Sequence, residues 1–293
     1  MNGFLNIHKP RGITSRAVCD RVLEWFPGAK VGHVGTLDPL AEGVLVVGLN
    51  QATRLEPWLH DQPKSYEARF RLGATSTTDD EDGIITPTGV ATPPSGEEVA
   101  AVLRKFHGEF AQVPPAFSAA RLGGTRAYEL ARQGRRVDLA PRLVRIDRLS
   151  CRRYDYPWLD VDVTCGKGTY IRSLARDVGQ LLGCGAYVVK LVRTAVGPFP
   201  LEQAMSWEVD AGVARQRLEP LRRAVEHLPH LVVDPHTLWR LRHGQKLPWP
   251  DTVGQAGPLA IVDEHGQLHL LALARSKDRR IVPRLVLQLG PES

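Results

Sequence analysis

Residues 32–43 read Gly-His-Val-Gly-Thr-Leu-Asp-Pro-Leu-Ala-Glu-Gly and run into the apolar stretch Val44-Leu45-Val46-Val47. Pro39 pushes Asp38 out of the helical region into an extended backbone. Gly32 and Gly35 permit tight turns or the close approach of another chain. The product is a carboxylate on a stiff loop at the edge of a sheet. Such a group can serve as a nucleophile or a general base. The same residues also make a plain Asp-Pro turn, and residue types alone leave both readings open.

Other chemistries fail on spacing. Cys165-Gly166-Lys167-Gly168-Thr169 resembles a phosphate loop, but Gly168 sits where Ser or Thr must bind magnesium. No Gly-x-Gly-x-x-Gly opens a helix after a strand, which argues against a dinucleotide cofactor. The acidic run Asp79-Asp80-Glu81-Asp82-Gly83 misses the EF-hand register, with Thr78 at the first ligand position and Gly89 at the last, and reads as an exposed loop. The ten histidines form no His-Glu-x-x-His, and no serine elbow is present. The cysteines, Cys19, Cys151, Cys165 and Cys184, contain no Cys-x-x-Cys pair and read as buried thiols.

The elements that must position Asp38 are legible from periodicity. Apolar spacing over 171–182 predicts a helix with Ile171, Leu174, Ala175, Val178, Leu181 and Leu182 on one face, stopped by Gly183. Ser95 and Glu98 form a capping box that opens a helix with Val99, Val102, Leu103 and Phe106 inward. Residues 15–26 predict another helix, stopped by Pro27-Gly28. Tyr66, Ala68, Phe70 and Leu72 alternate with Glu67, Arg69 and Arg71, a half-buried strand, and Leu159, Val161 and Val163 do the same. The Val44–Val47 run reads as a fully buried strand. Loops fall at Thr86–Pro94 and Pro248–Gly257. Helices and hairpin-like strands mixed in this way predict an α+β fold with a mixed, largely antiparallel sheet flanked by helices.

A boundary falls near His227-Leu228-Pro229. Beyond it come a short helix from Thr237 to Leu241 and three strands, with Asp263-Glu264-His265-Gly266 as a turn. Arg275, Lys277, Arg279, Arg280 and Arg284 make this part basic, which suits a small RNA-binding module or a structural appendage. The whole chain carries a formal charge of +6. Residues 121–153 hold ten arginines, no lysine and three acids, Glu129, Asp138 and Asp147. Arginine suits bidentate phosphate contacts, and the stretch reads either as a nucleic-acid grip or as a solvated basic face. No run of apolar residues is long enough to span a bilayer, and the N-terminus lacks a basic region followed by an apolar one, so a cytoplasmic protein is expected.

Taken together, the motif around Asp38 resembles the catalytic signature of the TruB family of bacterial tRNA pseudouridine synthases. Further segments match in order: His8-Lys9-Pro10-Arg11-Gly12, Lys64-Ser65-Tyr66, Lys167-Gly168-Thr169-Tyr170-Ile171-Arg172-Ser173, and then Gly183-Cys184-Gly185-Ala186 with Leu191-Val192-Arg193. The resemblance covers nearly the whole chain. It implies a pseudouridine synthase fold over residues 1–229, with an RNA-gripping insertion at about 107–140, and a PUA-like RNA-binding domain over 230–293. It also implies isomerisation of uridine 55 in the tRNA T-loop. That reaction is redox-neutral and adds no atoms, so no cofactor is expected.

The resemblance carries roles over by position. Asp38 becomes the essential carboxylate. Arg172 pairs with it and favours its ionised form. Arg172 lies in the first turn of its helix, where the helix dipole gives no reason for a cation, so a placed ion pair explains it better. Tyr66 stacks on the flipped uracil, though its periodicity alone reads as core. Tyr170 and Leu191 flank the base. His33 fills the gap that the extruded base leaves in the T-loop. Lys9 and Lys64 support the site, and Arg121 and Arg126 contact RNA. Arg121 stands where lysine is expected, Thr125 replaces a lysine, and Glu42 stands where Thr or Ser is usual. These departures bear on RNA contacts rather than on the reaction. The expected partner is the tRNA T-arm stem-loop. Without long lysine-rich tails, the chain reads as a stand-alone monomer with no obligate protein partner. The competing class is a non-catalytic tRNA-binding or folding module.

Overall fold

The computed structural model describes residues 1–118, 121–122, 125–133 and 137–288, with side chains at all of these but 121–122, 125–126 and 131–132. The chain opens with β1 (Gly3–Lys9), α1 (Ser15–Trp25), β2 (Val31–Val34) and β3 (Glu42–Leu49). Next come α2 (Glu56–His60), β4 (Lys64–Leu72) and the small hairpin β5 (Ala74–Ser76) and β6 (Ile85–Pro87). They are followed by α3 (Gly96–Arg104), β7 (Gly108–Gln112), the short ladder β8 (Arg121–Leu122) and β9 (Thr125–Arg126), and α4 (Ala127–Arg132). The middle continues through β10 (Arg142–Asp155), β11 (Trp158–Cys165), α5 (Ile171–Leu181), β12 (Ala186–Val196), β13 (Phe199–Pro200), β14 (Met205–Ser206) and α6 (Ala211–Gln216). Last are β15 (His230–Val232), α7 (Pro235–Arg242), β16 (Leu247–Pro248), β17 (Gly257–Val262), β18 (Leu268–Arg275) and β19 (Arg280–Val286).

The main sheet runs β14-β1-β3-β12-β4-β11-β10-β7, with β2 added to β3 and β13 to β12. It is antiparallel except at β1–β14 and β3–β12. A second sheet runs β15-β17-β18-β19-β16. The fold is therefore α+β with a mixed, largely antiparallel sheet, as the periodicities predict. Among the described residues, no helix is long and apolar enough to cross a membrane.

The capping box of α3 forms as expected, with Ser95 accepting from the Glu98 N–H and Glu98 reaching back to the Ser95 N–H. Thr14 caps α1 by accepting from the Ala17 N–H. Burial explains the strand patterns. On β4 and β11, the inward rows Ala68, Phe70, Leu72, Leu159, Val161 and Val163 pack under α3 and α5. The opposite rows carry Glu67, Arg69 and Asp160 toward water. From Val44 to Val47 β3 is apolar at every step because it is covered twice. Leu45 and Val47 face α1, whereas Val44 and Val46 face the second sheet. That last cluster joins Phe4, Val196 and Phe199 to Ala260, Val262, Leu268, Leu271 and Leu287 in one core.

Two expectations change. The stretch expected as an insertion from residue 107 begins with β7, which pairs with β10 as the edge strand of the main sheet. Cys151 is exposed, whereas Cys19, Cys165 and Cys184 are buried. β10 outruns β7, whose pairing ends at Arg142, Leu143, Val144, Arg145 and Ile146, so Cys151 has a strand neighbour on one side only.

The loop that carries Asp38 is anchored on both sides of it. Leu37 and Leu40 enter the core under α5, and burying one leucine is worth about 1.5–3 kcal/mol. Ser15 brackets Leu37, accepting from its N–H at 2.9 Å and donating to its carbonyl at 3.0 Å. The Gly12 N–H donates to the Pro39 carbonyl at 2.7 Å. Lys9, fully buried, donates to the carbonyls of Ile13 at 2.7 Å and Pro10 at 2.9 Å, and reaches Pro39 at 3.5 Å. Burial pushes its ammonium down to about 8, against the pull of Asp38. Gly43 ends the loop at φ +105°, where a Cβ would sit 2.2 Å from the Arg193 carbonyl oxygen.

Gly43→Ala should therefore lower the unfolding free energy by about 3 kcal/mol or more in urea denaturation, through both the φ and the clash. A loss below about 1 kcal/mol would show that β3 and β12 part easily. The second expectation concerns Lys9. An unfolded lysine titrates near 10.5, so between pH 8 and 10.5 the unfolded chain holds a proton that the folded chain has shed. The contribution of Lys9 to stability thus rises with pH through that window. Relative to Lys9→Met, the wild type should gain stability from pH 8 to pH 10, and a flat difference would contradict the buried charge.

Candidate active site

A cleft of about 280 Å³ opens where the Asp38 loop, β4, β12 and the start of α5 meet. Asp38, Lys64, Tyr66, Tyr170, Arg172 and Leu191 all line it. Six residues singled out from sequence thus converge although they span more than half of the chain. Register explains the floor. Tyr66 lies opposite Val163 on β11 and Arg193 on β12, and Leu191 lies opposite Ala68.

The centre of the site is one guanidinium. Arg172 Nη2 stands 2.8 Å from Asp38 Oδ2, and Nη1 stands 3.1 Å from Asp80 Oδ2. Nη2 also donates to the Phe117 carbonyl at 2.9 Å and Nη1 to the Thr78 carbonyl at 3.1 Å. The Arg172 and Asp80 side chains are only 5% and 6% exposed, whereas that of Asp38 is 37% exposed. The cation is thus buried, and of its two carboxylates only Asp38 is open to an incoming molecule.

Asp80 overturns the expectation of a solvated acidic loop. It is buried, accepts from the Thr78 hydroxyl and the Asp82 N–H, and bridges Val188 on β12. Burial pushes its carboxyl up, with the Thr78 hydroxyl and Arg172 pulling the other way. Its neighbour Asp79 pairs with Arg176 at 2.9 Å, and Glu81 pairs with Arg11 beside the Asp38 loop. The acidic run is therefore sewn between α5 and the N-terminal segment.

The first turn of α5 is fixed from the other side by the strand end after β7. Tyr170 precedes the helix without a side-chain cap of its own. The buried Gln112 amide takes its place, accepting from the Tyr170 N–H at 2.9 Å and donating to the Tyr170 carbonyl at 3.2 Å. Ser173 and Arg176 both donate to the Val113 carbonyl at 2.8 Å.

Arg193 also belongs to the site, although the sequence pattern assigns it no role. It is 1% exposed and donates from Nε to the Val44 carbonyl at 2.7 Å and from Nη2 to the Gly35 carbonyl at 2.9 Å. Burial pushes the Tyr66 phenol up, and Arg193, hydrogen-bonded to it, pulls it down. Its signal in the sequence is its place two residues after Leu191, on the same face of β12.

The remaining expected residues fall around the cleft. Lys64 faces its own backbone, donating to the carbonyls of His60 at 2.5 Å and Gln62 at 2.7 Å, and burial pushes it down to about 8. Lys9 is likewise spent on carbonyls, so both lysines act as internal clamps here. His33 stands on β2 beside the cleft, 3.6 Å from Cys19 Sγ through Nδ1 and 3.1 Å from Thr36 Oγ1 through Nε2. Burial pushes its imidazole down, helped by Arg193. Arg121 and Arg126 pair through their backbones in the β8–β9 ladder, and their side chains lie outside the described residues. Residues 135 and 136 of the arginine-rich stretch lie outside them as well. Further along that stretch, Arg145 pairs with Asp147, Arg153 with Asp155, and Arg152 with Glu67 and Asp162. Of these acids, Asp147 and Asp155 lie on β10 itself, whereas Glu67 and Asp162 come from β4 and β11.

Comparison with known proteins identifies the family. Residues 24–171 match the family described as TruB family pseudouridylate synthase (N terminal domain), and residues 172–228 match the tRNA pseudouridylate synthase B C-terminal domain. A tRNA pseudouridine synthase B from Mycobacterium sp. (strain KMS) is 44% identical over 249 residues, 84% of each chain. That of Stutzerimonas stutzeri (strain A1501) is 37% identical over 297 residues, covering 98% of this chain and 96% of the relative. Among solved structures, a Cbf5-Nop10-Gar1 complex contains a chain of similar fold, with a TM-score of 0.72 at 25% identity over 98% of this chain and 84% of that one. An archaeal box H/ACA sRNP Nop10-Cbf5 complex gives a TM-score of 0.73 at 24% identity over 99% of this chain and 86% of that one, a likeness of fold. With its signature loop, its arginine-centred cleft and these relatives, the chain belongs to the TruB family of pseudouridylate synthases.

Proposed function

We propose that this chain isomerises uridine 55 in the T-loop of tRNA to pseudouridine, with Asp38 as the essential carboxylate. The observation that carries this reading is the Asp38 carboxylate, open to the cleft on one side and held 2.8 Å from a buried guanidinium on the other. The reaction breaks the N1–C1′ bond, turns the base, and rejoins C5 to C1′, while C5 loses a proton and N1 gains one. Nothing is oxidised or added, so a positioned carboxylate and an unstacked base suffice. Asp38 acts by attack on C1′ or by removal of the C2′ proton, and both routes use the same carboxylate.

The resemblance assigns roles to the other residues, and their positions around the cleft support that reading. Arg172 holds Asp38 and balances its charge. Tyr66 offers a ring face to the uracil, with Tyr170 and Leu191 flanking it. His33, outside the cleft on β2, enters the space that the base vacates in the T-loop. Arg121, Arg126 and the arginines around them grip the T-arm backbone, and the second sheet acts as a PUA-like RNA-binding unit. The enzyme works as a cytoplasmic monomer that needs no protein partner.

Incubating the protein with an unmodified T-arm stem-loop and detecting pseudouridine by chemical derivatisation tests this directly. Binding without product would leave a tRNA-binding or folding module instead. Asp38→Asn should lower turnover by at least about a hundredfold while RNA binding persists. Replacing Arg121, Arg126 and Arg132 by glutamine should weaken binding and flatten its dependence on salt, because fewer counterions are then released. An unchanged salt dependence would place the grip elsewhere.

A further inference from the structure

Two banks form the mouth of the cleft. One is the end of α2 with Asp61 just after it. The other is the loop between β11 and α5. Lys167, on that loop, places Nζ 2.6 Å from Asp61 Oδ1 and so spans the opening. Both side chains are largely exposed, 67% and 60%. An ion pair in this setting adds little to stability and is readily exchanged for another partner. His60 lines the same mouth next to Asp61.

The charges around this spot favour an anion. Lys64, Arg193 and Lys167 all act on His60, with Asp61 the one acid opposing them. Burial and these cations push the His60 imidazole down, which leaves it neutral and able to donate one N–H. Asp38, the carboxylate that lines the cleft, is held by Arg172. A nucleotide whose base reaches the floor at Tyr66 and Leu191 must leave its phosphates nearer the opening. A phosphate accepts more hydrogen bonds than Asp61 can, and it competes directly for Lys167.

We propose that Lys167 and His60 seat a backbone phosphate of the RNA at the mouth of the cleft, and that Asp61 holds Lys167 in place until that phosphate displaces it. The inference rests on the reading that the cleft takes a nucleotide from RNA. It assigns roles in substrate binding to three residues outside the floor of the site.

Fluorescence anisotropy with the full chain and an unmodified T-arm stem-loop, over a series of salt concentrations, tests it. Lys167→Ala should weaken binding by roughly tenfold and lower the slope of log Kd against log salt by about one. His60→Ala should weaken it by about threefold, the loss of one hydrogen bond. Asp61→Asn should tighten it by about threefold or more by releasing Lys167. The gain from Asp61→Asn should vanish when Lys167 is already alanine, since only a shared partner couples the two. A purely structural role would instead lower the melting temperature and leave the salt slope unchanged. If Asp61→Asn weakens binding, or helps equally without Lys167, the seat is wrong. Pseudouridine formation by the wild type on the same RNA separates the two levels. Normal product with silent substitutions removes only the phosphate seat, whereas no binding and no product removes the reading beneath it as well.

Discussion

One buried guanidinium shared between two carboxylates organises this molecule. Arg172 is nearly inaccessible, and so is Asp80, while Asp38 looks outward. Burying a charge is costly unless every donor and acceptor finds a partner with good geometry. Here the partners of Arg172 come from three distant segments: the Asp38 loop, the acidic run with Thr78 before it, and the stretch beyond β7 that reaches Phe117. Their meeting point is therefore tightly specified, because moving any one of them strands a buried charge. A buried ion pair is weak support for stability but can fix a unique arrangement, and a catalytic carboxylate needs such an arrangement.

The same economy appears in the two clamping lysines. Lys9 and Lys64 carry cations into the interior, and each spends its ammonium on main-chain carbonyls rather than on an acid. A lysine used this way joins backbone segments that have no regular hydrogen-bond ladder between them. Arg193 does so from β12, reaching both Gly35 and Val44. Lys9 and Arg193 thus tie the irregular Asp38 loop to the regular sheet, while Lys64 ties the end of α2 to β4.

Much of this was readable in the sequence because it depends on local order. Alternation on β4 and β11, the capping box of α3 and the stripe on α5 all state which face is wet. The Asp38-Pro39 step states that the loop is stiff. What escaped depends on partners far along the chain. Asp80 sits in a run that looks solvated, and its burial is set by Arg172, 92 residues away. Arg152 on β10 looks like part of a free positive face until Glu67 of β4 and Asp162 of β11 come alongside. Cys151 follows the composition rule for thiols, yet the length mismatch between β10 and β7 leaves it uncovered. In each case the missing information was which distant segment lies alongside.

The core shared by the two sheets bears on how the chain is made. Phe4 belongs to the first strand, and it packs in one cluster with Leu271 and Leu287 near the far end of the chain. During synthesis the cluster around Phe4 gains Val34, Val44 and Val46 early, yet it stays incomplete until Leu271 and Leu287 have emerged from the ribosome. Such a delay exposes a sticky surface for tens of seconds at ordinary elongation rates of about 5–20 residues per second. The core between the two sheets is then completed only once the second sheet has been made.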